Sequence, residues 1–293
     1  MRDIILPIFL LIGTGFIFDR IFKPDIVTLS KMNFYIFVPS LTFTKILSTG
    51  IRVDFLLKLI LFIFFWFLIT GTIGFLISLF PRFRSLRVLF ISNSEFNNCG
   101  NYGFPLIMFA FGESYLSILA IFLVFQNLLT FTFGVLLFSL DTKTKLKSLS
   151  GILKIPVLYA VIFGLFFRAT KIELIPSVMS FFNYLADGLI PVALITLGVQ
   201  LSRSVKLTEI LPVGFMSFLR LIIAPLIAFI LFPLFNIDPV YKKFLIIITS
   251  LPAAVNTFLL AEEYNIKPDI ASQTVFFSTI LSIITIPLIL LIK

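Results

Sequence analysis

Ser92-Asn93-Ser94-Glu95-Phe96-Asn97-Asn98-Cys99-Gly100-Asn101-Tyr102-Gly103-Phe104-Pro105 decides how this chain is read. Four asparagines, two glycines and a proline interrupt a run, 86–111, that is otherwise largely apolar. A helix facing lipid has no use for them. Gly100 and Gly103 weaken helical geometry, and Pro105 cannot donate to the Asn101 carbonyl, so the helix is expected to break there. Broken backbone at membrane depth is tolerated only when buried in protein or lining a watery cavity. The stretch therefore predicts a functional break. The plainer alternative is a packing kink with asparagines as interhelical glue.

The rest of the chain supplies the membrane. Of 293 residues, 59% are hydrophobic and 13% charged, and the mean hydropathy is +1.14. A soluble domain carries about a quarter of its residues as charge. So little charge excludes a soluble enzyme, a nucleic-acid-binding domain and a disordered protein. The net charge of +9 sits between apolar runs, where bilayer topology places it. A single cysteine, Cys99, excludes a disulfide framework and thiolate clusters. With no histidine, His metal sites, Ser-His-Asp chemistry and histidine relays are excluded too. No metal and no cofactor are expected. Residues 1–20 lack a small-x-small cleavage site and read as a first membrane helix.

Spans of about 20 apolar residues cross a bilayer. Charges and turn residues divide this chain into ten, at 4–18, 32–47, 55–79, 86–111, 115–140, 155–167, 175–201, 210–235, 244–264 and 270–292. Sheet is not expected, since an open edge cannot survive in lipid and no span alternates as a barrel strand does. The longest polar connection, 141–154, holds four lysines and separates a first half, 1–140, from a second, 155–293. Pro7 and Pro156, Pro39 and Pro191, and Pro105 and Pro252 recur at offsets of 149, 152 and 147 residues. Chance pairing among fifteen prolines is the rival, but the near-constant offset points to a duplication. Five spans per half would put the second half into the membrane upside down, a recurring plan for secondary transporters. The expected fold is an all-α polytopic membrane protein, ten helices in two inverted five-helix repeats, with helices four and nine broken where they cross.

The ninth span supplies the partner break: Thr249-Ser250-Leu251-Pro252-Ala253-Ala254-Val255-Asn256-Thr257. Pro252 frees the Ile248 carbonyl, and Asn256 lies one turn on. Two broken helices crossing near the midplane would aim positive N-terminal ends at one cavity. Such a cavity favours an anion, carboxylates in particular.

Three stretches carry a resemblance. Asn-Asn-Cys-Gly-Asn-Tyr-Gly-Phe-Pro-Leu (97–106) resembles the asparagine- and glycine-rich break of the auxin efflux carrier family. Leu-Pro-Ala-Ala-Val-Asn-Thr-Phe-Leu-Leu-Ala-Glu-Glu-Tyr (251–264) resembles its second break, and Ile-Pro-Val-Ala-Leu-Ile-Thr-Leu-Gly-Val-Gln-Leu (190–201) its seventh span. The resemblance covers the full chain. It implies a scaffold from spans one, two, six and seven and a moving transport domain from spans three to five and eight to ten. The implied fold is shared with bile-acid and sodium–proton exchangers. It also implies a homodimer in the cell (inner) membrane and organic-anion substrates: auxin in plants, malate or malonate for some bacterial members. Polar residues of span five face the substrate in that family, and the resemblance gives this role to Gln126 and Asn127. Interhelical hydrogen bonding is their plainer reading.

The candidate substrate-binding set is Asn97, Asn98, Asn101, Pro105, Gln126, Asn127, Pro252 and Asn256. Glu95, a carboxyl inside a span, is a functional candidate by default. It reads equally as a proton carrier and as the structural partner of Arg220 in span eight. Asp187, beside Gly188, reads as a helix-end residue at the interface, and Glu262 and Glu263 as solvated. The 39 phenylalanines read as lipid-facing or interface-filling residues.

The expected function is secondary transport of small organic anions by an elevator-like or rocking motion, not an enzyme's, with the bilayer as its surroundings and no nucleic acid as partner. A sodium- or proton-coupled exchanger of the same fold is the first rival. Asparagines at the crossing, in place of paired acids, argue against it. A membrane-embedded enzyme acting on lipid is the second rival, and it needs clustered Asp, His, Ser or Lys.

With both termini outside the cytoplasm, inner loops hold thirteen Lys and Arg residues: Arg20, Lys23, Lys31, Arg82, Arg84, Arg87, Lys143, Lys145, Lys147, Lys154, Arg203, Lys206 and Lys267. Outer segments hold nine, and Arg220 is intramembrane. The loop 141–154 is therefore expected to be cytoplasmic. Single cysteines at Ser148 and Lys293, in a background lacking Cys99, test this. An impermeant maleimide applied to intact cells should label position 293 and spare 148, and the reverse pattern would invert the topology.

Overall fold

The computed structural model describes residues 2–48, 53–142, 155–203 and 207–291. Most of the central loop, with Lys143, Lys145, Lys147, Ser148 and Lys154, lies outside the described residues, as do Lys206 and Lys293. The described chain is mostly helical. Its helices are α1 (Arg2–Phe22), α2 (Ile26–Met32), α3 (Val38–Ser48), α4 (Val53–Ser78), α5 (Arg87–Glu95), α6 (Phe104–Phe111), α7 (Leu116–Leu129) and α8 (Val135–Thr142). There follow α9 (Pro156–Thr170), α10 (Pro176–Ser202), α11 (Ile210–Phe218), α12 (Ala224–Leu231), α13 (Lys242–Thr249), α14 (Val255–Glu263) and α15 (Pro268–Leu291). Single π-helical turns join α2 to α3 (Asn33–Phe37), α7 to α8 (Thr130–Gly134) and α11 to α12 (Leu219–Ile223), and another, Cys99–Gly103, precedes α6. Among the described residues, β pairing is limited to one isolated bridge.

Among the described residues, six stretches are long and apolar enough to cross a membrane: Ile26–Ser48, Asp54–Ser78, Glu113–Ser139, Pro176–Ser202, Ile210–Phe235 and Pro268–Leu291. The protein is a polytopic membrane protein. Lipid supplies no hydrophobic force between its helices, so close backbone approach through small residues must do more of the packing.

The chain divides into two compact units. The first comprises Met1–Arg52, Cys99–Val124 and Leu153–Ser204. Here α1 lies against α10 at two reciprocal glycines. A Cβ on Gly15 would overlap the Ile195 carbonyl, and one on Gly198 would overlap the Ile12 carbonyl. Beyond the apolar part of α1, Asp19 accepts hydrogen bonds from Ser202 Oγ and from Arg203 Nε and Nη2, the latter two at 3.1 and 2.9 Å. Phe43 of α3 packs its ring on Phe167 of α9 and Phe182 of α10, at 6.2 and 4.8 Å. Asp187 is not a helix-end residue. It lies exposed eleven residues past Pro176, because the α10 register continues through Gly188 and Pro191 without a break.

The second unit comprises Val53–Asn98, Phe125–Ile152 and Val205–Lys293. Phe83, Leu89, Phe90, Met216, Leu260, Tyr264 and Ile270 belong to its apolar core. Gly71 and Gly74, one turn apart on α4, receive α5. A Cβ on Gly74 would stand 2.6 Å from the Phe90 carbonyl, and one on Gly71 would overlap the Glu95 carboxyl. Glu262 and Glu263 are exposed.

Two α1–α10 variants test the glycine contact. Gly198→Ala forces its new methyl into main-chain atoms, and such overpacking costs about 1–3 kcal/mol. Gly13→Ala, where nothing lies within 4 Å, should gain up to about 1 kcal/mol of helix propensity. Melting in detergent should therefore move down for the first and stay level or rise for the second. Equal shifts would remove the close approach.

Candidate substrate site

The site begins where two helices stop. α5 ends at Glu95 because Phe96 turns extended, at φ −91° and ψ 118°. α13 ends at Thr249, and Ala254, extended at φ −72° and ψ 140°, starts α14. Between these ends run two short non-helical segments, 96–98 and 250–254, which pair antiparallel through Asn97 and Ala253. The Asn98 N–H donates to the Pro252 carbonyl at 2.8 Å, and the Ala254 N–H to the Phe96 carbonyl at 3.0 Å. Each segment thus supplies main-chain hydrogen bonds that its own helix has lost.

Side chains complete the repair. Pro252 removes the N–H that would serve the Ile248 carbonyl in a continuous helix, and Asn97 Nδ2 donates to that carbonyl at 2.8 Å. Gln126 Nε2 donates to the Asn97 carbonyl at 2.6 Å. The Ala253 N–H reaches Ser278 Oγ at 3.1 Å. Arg220, fully buried, donates from Nη1 to the Ser94 and Glu95 carbonyls at 2.7 and 3.3 Å and from Nη2 to the Thr249 carbonyl. Its guanidinium lies 4.9 Å from the Trp66 ring centroid, and Trp66 Nε1 donates to the Ala224 carbonyl at 2.9 Å.

Of the residues picked out from sequence, Asn97, Asn98, Gln126, Pro252 and Arg220 meet at this pairing. Asn256 is half-buried in the first turn of α14, and Ala254 offers that turn no side-chain cap. Asn127 is buried, and neither of its amide atoms has a hydrogen-bond partner among the described residues. Glu95 is buried against Gly71, with Oε2 also lacking a partner among the described residues. The contact between Glu95 and Arg220 runs through the Glu95 carbonyl. Asn101 and Pro105 belong to the first unit, where Asn101 accepts from Asn33 Nδ2 at 3.2 Å.

The break falls earlier than the proline suggested. The chain is already non-helical at 96–98, and Pro105 sits in the first turn of α6, where its missing N–H is among those a helix leaves unpaired anyway. Pro252, by contrast, lies in the extended segment itself. Trp66, Gly71, Asn33 and Ser278 were not singled out from sequence. Trp66 is the chain's one tryptophan, and Asn33 is the one amide of its apolar run, so both carried a signal. Gln126→Leu tests the repair. It removes the donor at a buried carbonyl, which should cost about 1–3 kcal/mol and lower the melting temperature in detergent by several degrees. An unchanged melt would mean that the Asn97 carbonyl does not depend on this bond.

The sequence matches the membrane transport protein family over residues 3–150 and again over 139–290. An uncharacterized transporter of Methanocaldococcus jannaschii is 29% identical, with 98% of this chain and 96% of that protein aligned. A protein of Rhizobium meliloti named "Putative malonate transporter" is 23% identical over 98% of this chain and 93% of its own length. An uncharacterized transporter of Methanothermobacter thermautotrophicus is 27% identical over 91% and 88%. Broken helices repaired within a polytopic all-helical chain, and full-length relatives named as transporters, lead to one assignment: the chain belongs to the membrane transport protein family, that of the auxin efflux carriers, and is a membrane transporter and not an enzyme.

Proposed function

We propose that this protein is a secondary transporter of small organic anions, dicarboxylates foremost, working by alternating access. The observation that carries the reading is the antiparallel pairing of 96–98 with 250–254. It gathers buried amide groups around interrupted backbone, the form that substrate sites take in transporters built from broken helices. Asn127 offers a desolvated amide without a partner among the described residues, and the uncapped first turn of α14, with Asn256, offers donors to a carboxylate. The malonate in the name of the Rhizobium meliloti relative points to the same substrate class.

The proposal includes ten spans in two inverted repeats, 1–140 and 155–293, each with one broken helix, in the cell membrane with both termini non-cytoplasmic, and a homodimer. It assigns spans one, two, six and seven to a scaffold and the remaining six to a moving domain. In support, α1, α2, α3, α9 and α10 group in the first unit, and α4 and α11 to α15 in the second. α6 and the first part of α7 fall with the first unit, so the division cuts spans four and five. A second reading, proton-coupled exchange, draws on Glu95, whose buried Oε2 lacks a partner among the described residues.

Thermal shift in detergent across malonate, other mono- and dicarboxylates and indole acids identifies the substrate. Asn256→Ala should then weaken its binding by roughly 5- to 150-fold, the loss of one buried hydrogen bond worth about 1–3 kcal/mol. Binding equal to the parent's would exclude Asn256 from the site. In proteoliposomes, Glu95→Gln should retain exchange while losing its response to an imposed pH gradient. A stable Glu95→Gln protein that still follows the gradient ends the proton-carrier reading.

A further inference from the structure

Arg220 has a second use, independent of any pairing with the Glu95 carboxylate. Ser94 and Glu95 are the last two residues of α5, and Thr249 is the last of α13. The three carbonyls that Arg220 serves therefore belong to the C-terminal ends of two half-helices. A helix C-terminus leaves four carbonyls without intrahelical partners and carries about half a negative charge. Two such ends brought onto one side chain present roughly one negative charge, and the guanidinium carries one positive charge. Transporters with broken helices commonly satisfy such carbonyl ends with a bound alkali cation or proton.

We infer that Arg220 is a tethered counter-cation for the ends of α5 and α13, so that carboxylate binding at the crossing needs no inorganic cation. The side chain suits the task. Its planar fork presents five N–H donors and cannot lose its charge, so one residue can span two helices. The π-helical turn Leu219–Ile223 carries it, and the Trp66 ring covers its face, an attraction that a cation makes and a neutral side chain does not. Trp66 is itself fixed by its hydrogen bond to Ala224 at the start of α12. Lysine could supply the charge but not the fork. Glutamine could supply one donor but not the charge. The inference names the electrostatics of the proposed anion site and, for its binding arm, rests on that reading.

The test uses the purified full chain in chloride salts of sodium, potassium and N-methyl-D-glucamine at equal ionic strength. The parent should melt at one temperature in all three, and malonate should raise it equally. A parent that is stabilised by sodium or potassium, or binds malonate only in their presence, overturns the inference. Arg220→Gln should melt lower in N-methyl-D-glucamine and recover with sodium, potassium or low-millimolar guanidinium, and its malonate affinity should improve roughly tenfold or more with the same additions. Arg220→Gln indifferent to every cation overturns the inference. Arg220→Lys, which keeps the charge, should melt below the parent yet stay indifferent to the salt. It decides, with the parent, if the glutamine variant cannot be purified. If no carboxylate binds in any salt, the substrate reading fails alone, because the ion dependence of melting still decides the role of Arg220.

Discussion

Backbone that leaves a helix inside a bilayer must find partners within the protein. Water in lipid is too scarce to provide them, and each unsatisfied group costs several kcal/mol. The pairing of 96–98 with 250–254 answers that demand, and most of the second unit's polar chemistry follows from it. Asn97 serves a carbonyl that Pro252 orphans, Gln126 serves the Asn97 carbonyl, and Ser278 serves the Ala253 N–H. Remove any of these and a polar group is stranded where nothing replaces its partner. The amides are therefore structural first. A ligand-binding role is available to those with capacity left over, of which Asn127 and Asn256 are the clearest.

Packing around this arrangement uses the same economy of small residues in both units. Gly15 and Gly198 let α1 and α10 bring main chains together, and Gly74 does the same for α4 and α5. In water such contacts would be reinforced by the hydrophobic effect. In lipid, dispersion and close approach carry more of the load. Gly71 also couples packing to chemistry, since the space its missing side chain leaves is filled by the Glu95 carboxyl.

How much of this was written in the sequence depends on how local the signal is. Membrane class followed from apolar runs, whose burial in lipid is a one-dimensional property. The second break was legible because Pro252 removes a specific donor, and the Ile248 carbonyl it frees is the one Asn97 takes. The first break lies ahead of Pro105, which marks a helix start as readily as a stop. Asp187 was misplaced for a related reason: a charge beside glycine resembles a helix end, yet α10 continues through both. The partners Trp66, Gly71 and Asn33 were not legible. Nothing in a linear string says that residue 66 lies over residue 220, or that the space beside residue 71 holds residue 95. Such pairings are tertiary facts, even where a lone tryptophan or a lone amide in an apolar run marks a residue as unusual.

The second unit treats its helix ends unequally, and that asymmetry bears on the sign of the ligand. Left alone, the C-terminal ends of α5 and α13 would attract a cation, and the N-terminal end of α14 would attract an anion. Arg220 occupies the first two ends with a charge that cannot dissociate. Ala254 leaves the third without a side-chain cap. On the proposed reading, closing the negative ends and leaving a positive end open would bias the unit toward anions. A carboxylate held by amide groups and a helix end is held less tightly than one in a bidentate arginine pair. That suits a carrier, which must release on one side of the membrane what it bound on the other. The only buried guanidinium of the described chain is thus committed to the backbone, and in the proposed site its charge would act on a ligand only through the helix ends it neutralises.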